Sequence, residues 1–352
     1  MTRTAREIVD GLELLLGEDM VLDTLSKCLR AMIIAGPGKK LVGGDFSNIE
    51  GRVNAWMSGE QWKLDAFRAY DEGAGPDLYK VTAGSILGKP HDAVAKAERQ
   101  AYGKVPELAC GYQGSIGAFV TMAATYLIKP AEVARIAMQT VSQDALREAQ
   151  LQYARATNTY GLDQDVWVGI KLVVNGWRHA HPHIVQGWWD LQDAAIEAVG
   201  TPGAKVPVFG GKVQYLVANG FLFCALPSGR VIAYAAPRLK WSTNGERKRR
   251  YVEFDGLDSE TKRWGPQSMY GGFQGENIVQ AIARDVMVAA MFAAEKLGYR
   301  IVLTVHDELL CEVPDGDLFN ADKLKEIMSR LPAWAHGLPL AAAAWEDRRY
   351  VK

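Results

Sequence analysis

The stretch Tyr299-Arg-Ile-Val-Leu-Thr-Val-His-Asp-Glu-Leu-Leu-Cys-Glu-Val-Pro314 constrains this chain more than any other. Ile301, Leu303 and Val305 alternate with Val302 and Thr304, and Leu309 to Val313 is a second apolar run. Two β-rich runs about a short polar break predict a hairpin. The break, His306-Asp307-Glu308, puts two adjacent acids between buried strands. Ionised carboxylates beside a core are costly unless they are paired or bound to metal. A solvated turn is the simplest alternative, and a second stretch far upstream argues against it.

That stretch is Lys40-Leu-Val-Gly-Gly-Asp-Phe-Ser-Asn-Ile-Glu-Gly-Arg-Val-Asn-Ala-Trp56. Leu41 and Val42 predict a short strand with Asp45 at its end. Ser47 and Glu50 have the S-x-x-E spacing of a capping box, so a helix is expected to begin here. Ile49, Val53 and Trp56 then share one face, expected to be buried. Asp45 and Asp307 both lie at strand ends, and pairing the strands brings them together. Two such carboxylates suit Mg²⁺, a hard cation that takes one or two protein carboxylates plus substrate phosphates. Two ions about 3.5–4 Å apart form the clamp used in in-line phosphoryl displacement.

The chain has 352 residues, enough for two or more lobes. Lys and Arg number 40 against 41 Asp and Glu, so a nucleic-acid binder of this composition must gather its cations on one face. Cys28, Cys110, Cys224 and Cys311 form no C-x-x-C, which fits a reducing compartment and no structural zinc site. No 18-residue apolar run and no apolar signal core stand out, and a cytoplasmic location is expected.

Residues 4–17 have helical spacing, and the segment from Trp56 to about residue 200 is rich in helical patterns. Asp77 opens one helix, and another is expected over Ala93 to Tyr102, ending near Gly103. Lys104, Leu108 and Tyr112 step by four and set a cation, an apolar group and an aromatic ring on one face. That combination suits a nucleotide; a buried helix with a snorkelling Lys is the alternative. Pro106 removes an amide donor, so the helix either kinks or restarts near Val105–Pro106. In the second case Lys104 stands at a helix N-terminus. His179, His181 and His183 alternate, unlike the helical i, i+4 metal pair, and Pro182 interrupts them. Trp188 and Trp189 are expected in the core. From Val206 short β-rich runs follow one another between Gly and Pro. The segment from Lys240 to Trp264 carries seven cations: Lys240, Arg247, Lys248, Arg249, Arg250, Lys262 and Arg263. A solvated hairpin and a phosphate-contacting one explain them equally well. Tyr270 to Leu297 predicts a long helix.

Four of these stretches resemble motifs of the family A, DNA polymerase I-like, DNA polymerases, in the family's order. Asp45-Phe-Ser-Asn-Ile-Glu-Gly-Arg52 resembles motif A, and Val305-His-Asp-Glu308 resembles motif C. Arg99-Gln-Ala-Tyr-Gly-Lys104 through Leu108-Ala-Cys-Gly-Tyr-Gln-Gly114 resembles motif B of the fingers. Gln274-Gly275 resembles the motif that touches the primer end. The resemblance runs from about residue 25 to the end and is greatest to bacteriophage or prophage members. Four positions depart from the pattern. Arg99 is five residues before Lys104 where the family has Arg four before, and Gln100 takes that place. Leu108 stands where Phe or Tyr is usual, and Tyr270 where Asn is usual.

The resemblance implies an α+β fold, with an antiparallel palm sheet backed by helices and a mainly helical fingers subdomain carrying a small β element. It implies boundaries at 1–62 and 263–352 for the palm segments and 63–262 for the fingers. It implies a DNA polymerase adding dNTPs to primer–template DNA, with two Mg²⁺ held by Asp45, the Phe46 carbonyl and Asp307, and Mn²⁺ able to substitute. Asp45, Asp307 and Lys104 are the implied catalytic residues. Phe46, Glu50, Arg99, Lys104, Leu108 and Tyr112 are implied at the nucleotide, with Glu50 pairing with Tyr112 and crowding the sugar's 2′ position. Arg52, Gln274 and His306 are implied at the DNA. A single-subunit RNA polymerase relative and a non-catalytic nucleic-acid binder are the alternatives. Because motif A lies so near Met1, thumb and 3′–5′ exonuclease domains are expected to be absent and supplied by a separate polypeptide of a split polymerase.

Overall fold

The computed structural model describes residues 4–244 and 247–351. In chain order it begins with helices α1 (Ala5–Leu16) and α2 (Glu18–Ala31), strand β1 (Lys39–Phe46), and helices α3 (Ile49–Ser58), α4 (Gln61–Asp71) and α5 (Leu78–Leu87). Helix α6 (Lys96–Glu98) runs through a π-helical segment, Arg99–Lys104, into α7 (Val105–Cys110). Next come α8 (Ile116–Thr125), α9 (Pro130–Thr140), α10 (Gln143–Ala154), α11 (Gln164–Ala180) and α12 (Pro182–Gly200). Strands β2 (Lys205–Val208), β3 (Val213–Ala218), β4 (Phe221–Ala225), β5 (Val231–Asn244), β6 (Arg247–Leu257) and β7 (Trp264–Met269) precede the long helix α13 (Gly271–Lys296). The chain closes with β8 (Arg300–Val305), β9 (Glu308–Pro314), α14 (Ala321–Met328) and β10 (Ala342–Asp347). The class is α+β, as the sequence predicts.

The chain divides into two compact units. The first comprises Met1–Ser47, Val286–Pro332 and Leu340–Lys352, and the second Asn48–Asp285 and Ala333–Pro339. The main divisions fall after residues 47 and 285.

In the first unit an antiparallel sheet has the order β10-β1-β9-β8. β1 is therefore a central strand, which explains its run of buried residues from Leu41 to Gly44. Glycine is required at Gly43 and Gly44 because both faces are already filled. A Cβ would come within 2.3 Å of the Trp345 ring at Gly43 and of Met328 Sδ at Gly44. Leu41, Leu310 and Tyr350 share a core cluster, with Ile33 and Trp345 packed against it.

The second unit has a helical core and a six-stranded antiparallel meander, β2-β3-β4-β5-β6-β7, larger than the small β element expected. Trp177, Phe119, Ile170 and Tyr102 are among its most buried side chains, and the Tyr102 hydroxyl donates to the Val133 carbonyl at 2.8 Å. Trp188 lies in this core, stacked on Trp177, but its neighbour Trp189 is exposed, against expectation. At the start of α12 the buried Glu60 carboxylate accepts from the His183 and Ile184 amides at 2.9 and 3.2 Å, satisfying donors that a helix N-terminus leaves open. α13 is long and apolar enough to cross a membrane by length and composition. It buries Ile278, Val279, Ile282, Val286 and Met287 within the fold.

Candidate active site

The acid-bearing hairpin of the first unit forms, but of its strands only β9 is buried: β8 lies at the sheet edge with Val302 and Leu303 exposed. β9 begins at Glu308, so the turn is His306–Asp307 alone, and His306 takes the left-handed conformation (φ 54°). Glu308 is a strand residue, 1 % exposed, opposite Val305 on one side and Asp45 on the other. The Tyr350 hydroxyl donates to its carboxylate. Burial, then the bond to and charge of Glu308, push that hydroxyl up to about 12, with Arg30 opposing.

β1 pairs with β9 so that Asp45 is opposite Glu308, and the Phe46 amide donates to the Asp307 carbonyl at 3.3 Å. The backbones carrying the two aspartates are thus hydrogen-bonded neighbours, although 262 positions separate them in the sequence. Both aspartates are half-buried, and His306 is exposed. Among the described residues no three His, Cys, Asp or Glu side chains gather as a metal site. The expected donor set is smaller, two carboxylates and the Phe46 carbonyl. All its donors are hard oxygens, which suits Mg²⁺ completed by substrate oxygens.

Helix α3, in the second unit, starts one residue later than the capping-box spacing implied. Asn48 is the N-cap, in the left-handed conformation (φ 48°), and its side chain accepts from the Gly51 amide at 3.2 Å. Glu50 stays exposed in the first turn and accepts from the Tyr112 hydroxyl at 3.1 Å. Burial, then the Glu50 charge and this bond, push the Tyr112 hydroxyl well above its ordinary value. Glu276 on α13 joins them: burial, then the Glu50 charge, raise its carboxyl. Sequence reasoning missed Glu276, whose only signal was an acid two residues after Gln274.

Motif B corrects the sequence expectation most. The helix neither ends near Gly103 nor restarts at Pro106; it continues from Lys96 to Cys110 with right-handed helical dihedrals at its junctions. Over Arg99–Lys104 its hydrogen bonds widen to i→i+5, with the Val105 amide bonding the Gln100 carbonyl. Residues five apart are about one turn apart in that register, which brings the backbone positions of Arg99 and Lys104 close to one turn apart despite the extra residue. Lys104 is inside the helix and not at an N-terminus. Its Nζ lies 4.5 Å from the Tyr126 ring centre. Arg99 bonds Asp77, the N-cap of α5, through Nε at 2.8 Å and through Nη2, and lies over the Tyr79 ring. Leu108 is 40 % exposed.

Beneath motif B lies an ionic cluster the sequence did not reveal. Lys63 and Glu107 form a salt bridge at 2 % and 7 % side-chain exposure. Glu107 also accepts from Thr82 at 2.7 Å and lies 3.1 Å from His181 Nε2. The His181 ring stacks on Trp177, with 4.0 Å between centroids. Burial alone would raise the Glu107 carboxyl, but the charges of Lys63 and His181 and their hydrogen bonds outweigh it and hold the group well below the usual carboxylate range.

Two of the three expected DNA contacts are buried. Arg52 is 1 % exposed, clamped by Asp71 through two bonds of 2.6 and 2.7 Å and laid over Phe67. Its guanidinium holds α3 to α4. Gln274 is fully buried, and its Oε1 accepts from Tyr215 at 2.6 Å. Its Nε2 has no hydrogen-bond partner.

No family model matches the chain. Over 99 % of its length it is 34 % identical to the DNA polymerase of Bacillus phage SP02, of which it covers 47 %. A shorter match, 33 % over 79 residues, is to DNA polymerase I of Aquifex aeolicus (strain VF5), covering 22 % of this chain and 13 % of that protein. In fold it is similar to the POL domain of Pol1 from M. smegmatis, solved in complex with DNA primer-template and dNTP. The TM-score is 0.52 at 18 % identity, over 92 % of this chain and 42 % of that one. The chain therefore spans about half the length of the phage relative.

Proposed function

We propose that this chain is a DNA polymerase I-like protein, the catalytic core of a template-directed DNA polymerase that adds deoxynucleotides to a primer 3′ end. The observation that carries this is the β1–β9 pairing, which makes hydrogen-bonded neighbours of the backbones bearing Asp45 and Asp307. A fold alone hosts many functions. Two half-buried carboxylates on neighbouring backbones supply hard oxygen donors of the kind Mg²⁺ takes together with substrate phosphates.

In this reading Asp45, Asp307 and the Phe46 carbonyl hold two Mg²⁺. When bound, such ions acidify an attacking hydroxyl and offset charge on the leaving pyrophosphate. The chain's own residues do the rest. Lys104 offers a cation to the triphosphate, and Arg99 a second, reached by exchanging Asp77 for phosphate. The exposed Leu108 gives the sugar an apolar surface. Tyr112 packs beside the nascent base pair and is oriented by its bond to Glu50. The Glu50 carboxylate occupies the space beside C2′, which favours deoxyribose. His306, exposed on its turn, reaches the DNA backbone. Gln274, fully buried against Tyr215, would reach the primer end only after that packing opens. Residues 63–262 act as fingers and the flanking segments as palm, in the host cytoplasm where the template lies.

Primer extension with the purified chain, a primed template, dNTPs and Mg²⁺ tests this directly. Extension that stops on chelation and returns with Mg²⁺ is expected; no extension at any Mg²⁺ or Mn²⁺ concentration would refute it.

A further inference from the structure

The second unit carries a groove that none of these roles uses. α12 packs across the meander sheet, and between α12 and β5–β7 lies a cavity of about 690 Å³. Gln113, Trp189, Gln192, Arg249, Arg250 and Tyr251 line it. Trp189, Gln192 and the two arginines also line an adjoining cavity of about 460 Å³, where Asp193 is the acid in the wall. Trp188 and Trp189 follow one another on α12, so the first turns into the core and the second, 38 % exposed, toward the groove. Arg249 and Arg250 are exposed on β6, and the Arg250 guanidinium lies 6.0 Å from the ring centre of the exposed Trp241. Of the five described cations of the basic cluster, Arg249 and Arg250 share this lining with Trp189; the side chains of Arg247 and Lys248 lie outside the described residues.

We propose that this groove holds the unpaired template strand. The inference rests on the polymerase reading for its orientation, and on the lining for its ligand. Guanidinium groups for phosphates, interleaved with rings on which bases stack, make up the recognition chemistry of single-stranded nucleic acid. A duplex has its bases already stacked, and would leave Trp189 and Tyr251 without that role. Amides such as Gln113 and Gln192 bond base edges of any sequence, as a template channel requires. The groove also begins where a template must arrive. Gln113 follows Tyr112 in sequence, and its Oε1 accepts from the Gly272 amide at 3.0 Å, fixing that end of the lining to the start of α13.

The test uses the whole chain and a labelled oligothymidylate of about twelve nucleotides, within the span of such sites. Trp189→Ala is expected to weaken binding roughly tenfold, the scale of one lost base stack, and Trp189→Phe to restore most of it. Arg249→Gln with Arg250→Gln is expected to make the dependence of log affinity on log salt shallower by about 1.4, from two phosphate contacts on a single strand. On primed templates the deficit of these variants is expected to grow as the 5′ overhang lengthens. Wild-type affinity and salt dependence in every variant would overturn the proposal, as would a deficit equal at all overhang lengths. If the unaltered chain extends no primer, the polymerase reading falls, and the oligothymidylate titration still decides the groove.

Discussion

Glu107→Gln is the most informative single change for the fold around motif B. The substitution keeps the size of the side chain and removes its charge. Lys63 is then a buried ammonium, 2 % exposed, without its counter-ion, and Thr82 and His181 compete for one remaining acceptor. Because both partners are nearly excluded from water, no large screening discount applies. Removing one member of such a pair costs about 3–5 kcal/mol. With an unfolding entropy of about 2.1 cal/mol/K per residue, 352 residues shift by about 1.4 °C per kcal/mol, so the midpoint of thermal unfolding should fall by roughly 4–7 °C. The sign with pH follows from the direction of the shift. The Glu107 carboxyl is held below its unfolded value, so its stabilisation is complete above about pH 4.3 and is lost as pH falls through the lower folded value. Glu107→Gln should therefore flatten the acid limb of the stability profile. Urea and thermal unfolding, followed by circular dichroism from pH 3 to 8, measure both effects. Replacing both partners, Lys63→Met with Glu107→Leu, should be less destabilising than Glu107→Gln alone, since no charge is left buried. A loss below about 1 kcal/mol would equal that of a surface ion pair and refute the reasoning. So would a double variant worse than the single.

Asp45→Asn and Asp307→Asn should each abolish extension while leaving the unfolding midpoint near wild type; more than about a tenth of activity remaining, roughly 1.4 kcal/mol of barrier, would reject the metal assignment. Glu50→Ala should raise ribonucleotide use relative to deoxyribonucleotide use in competition assays, because discrimination is a difference in transition-state binding. An unchanged ratio would leave Glu50 only its bond to Tyr112. Arg52→Gln should unfold the chain at lower temperature without weakening duplex binding, since its partner is Asp71; a selective loss of DNA affinity would restore it to the interface.

The residues that were legible in the sequence are those whose role follows from the backbone. Asp45 is near the end of β1 and Asp307 in the turn before β9, and strands and the turns between them can be found by alternation. Helix α13 and the hairpin after it were legible for the same reason. What was not legible is which charges are already taken. Arg52, Arg99 and Lys104 look alike in sequence, each a cation in or beside a motif. In the fold the first is sealed against Asp71 and Phe67, the second shares Asp77 with Tyr79, and the third keeps an aromatic neighbour alone among these contacts. Asp71 is nineteen residues from Arg52 and Asp77 twenty-two from Arg99, separations that no local pattern fixes. Trp189 and Glu107 were misjudged or missed on the same ground, because a side chain's partners come from other elements.

Three oddities of motif B, of which Gly103 and Pro106 were read as signs that the helix ends, kinks or restarts, combine to keep it whole. The extra residue between Arg99 and Lys104 would rotate one cation off the face of an α-helix. Pro106 would press its ring on the Tyr102 carbonyl and leave that acceptor unpaired. Gly103 is a poor helix former. One widened turn answers all three. It takes up the extra residue without breaking the ladder, so the backbone positions of the two cations remain about a turn apart. It ends at Lys104, and Pro106 follows at the second position of α7, where the register changes and a missing amide costs least. Widening swells the helix toward α5, and there Gly103 is necessary: a Cβ would lie 2.0 Å from the Tyr79 carbonyl oxygen. Residue count, proline and glycine are therefore coupled, and a variant that removes the extra residue alone would leave Pro106 against an α-helical carbonyl and Gly103 without its purpose.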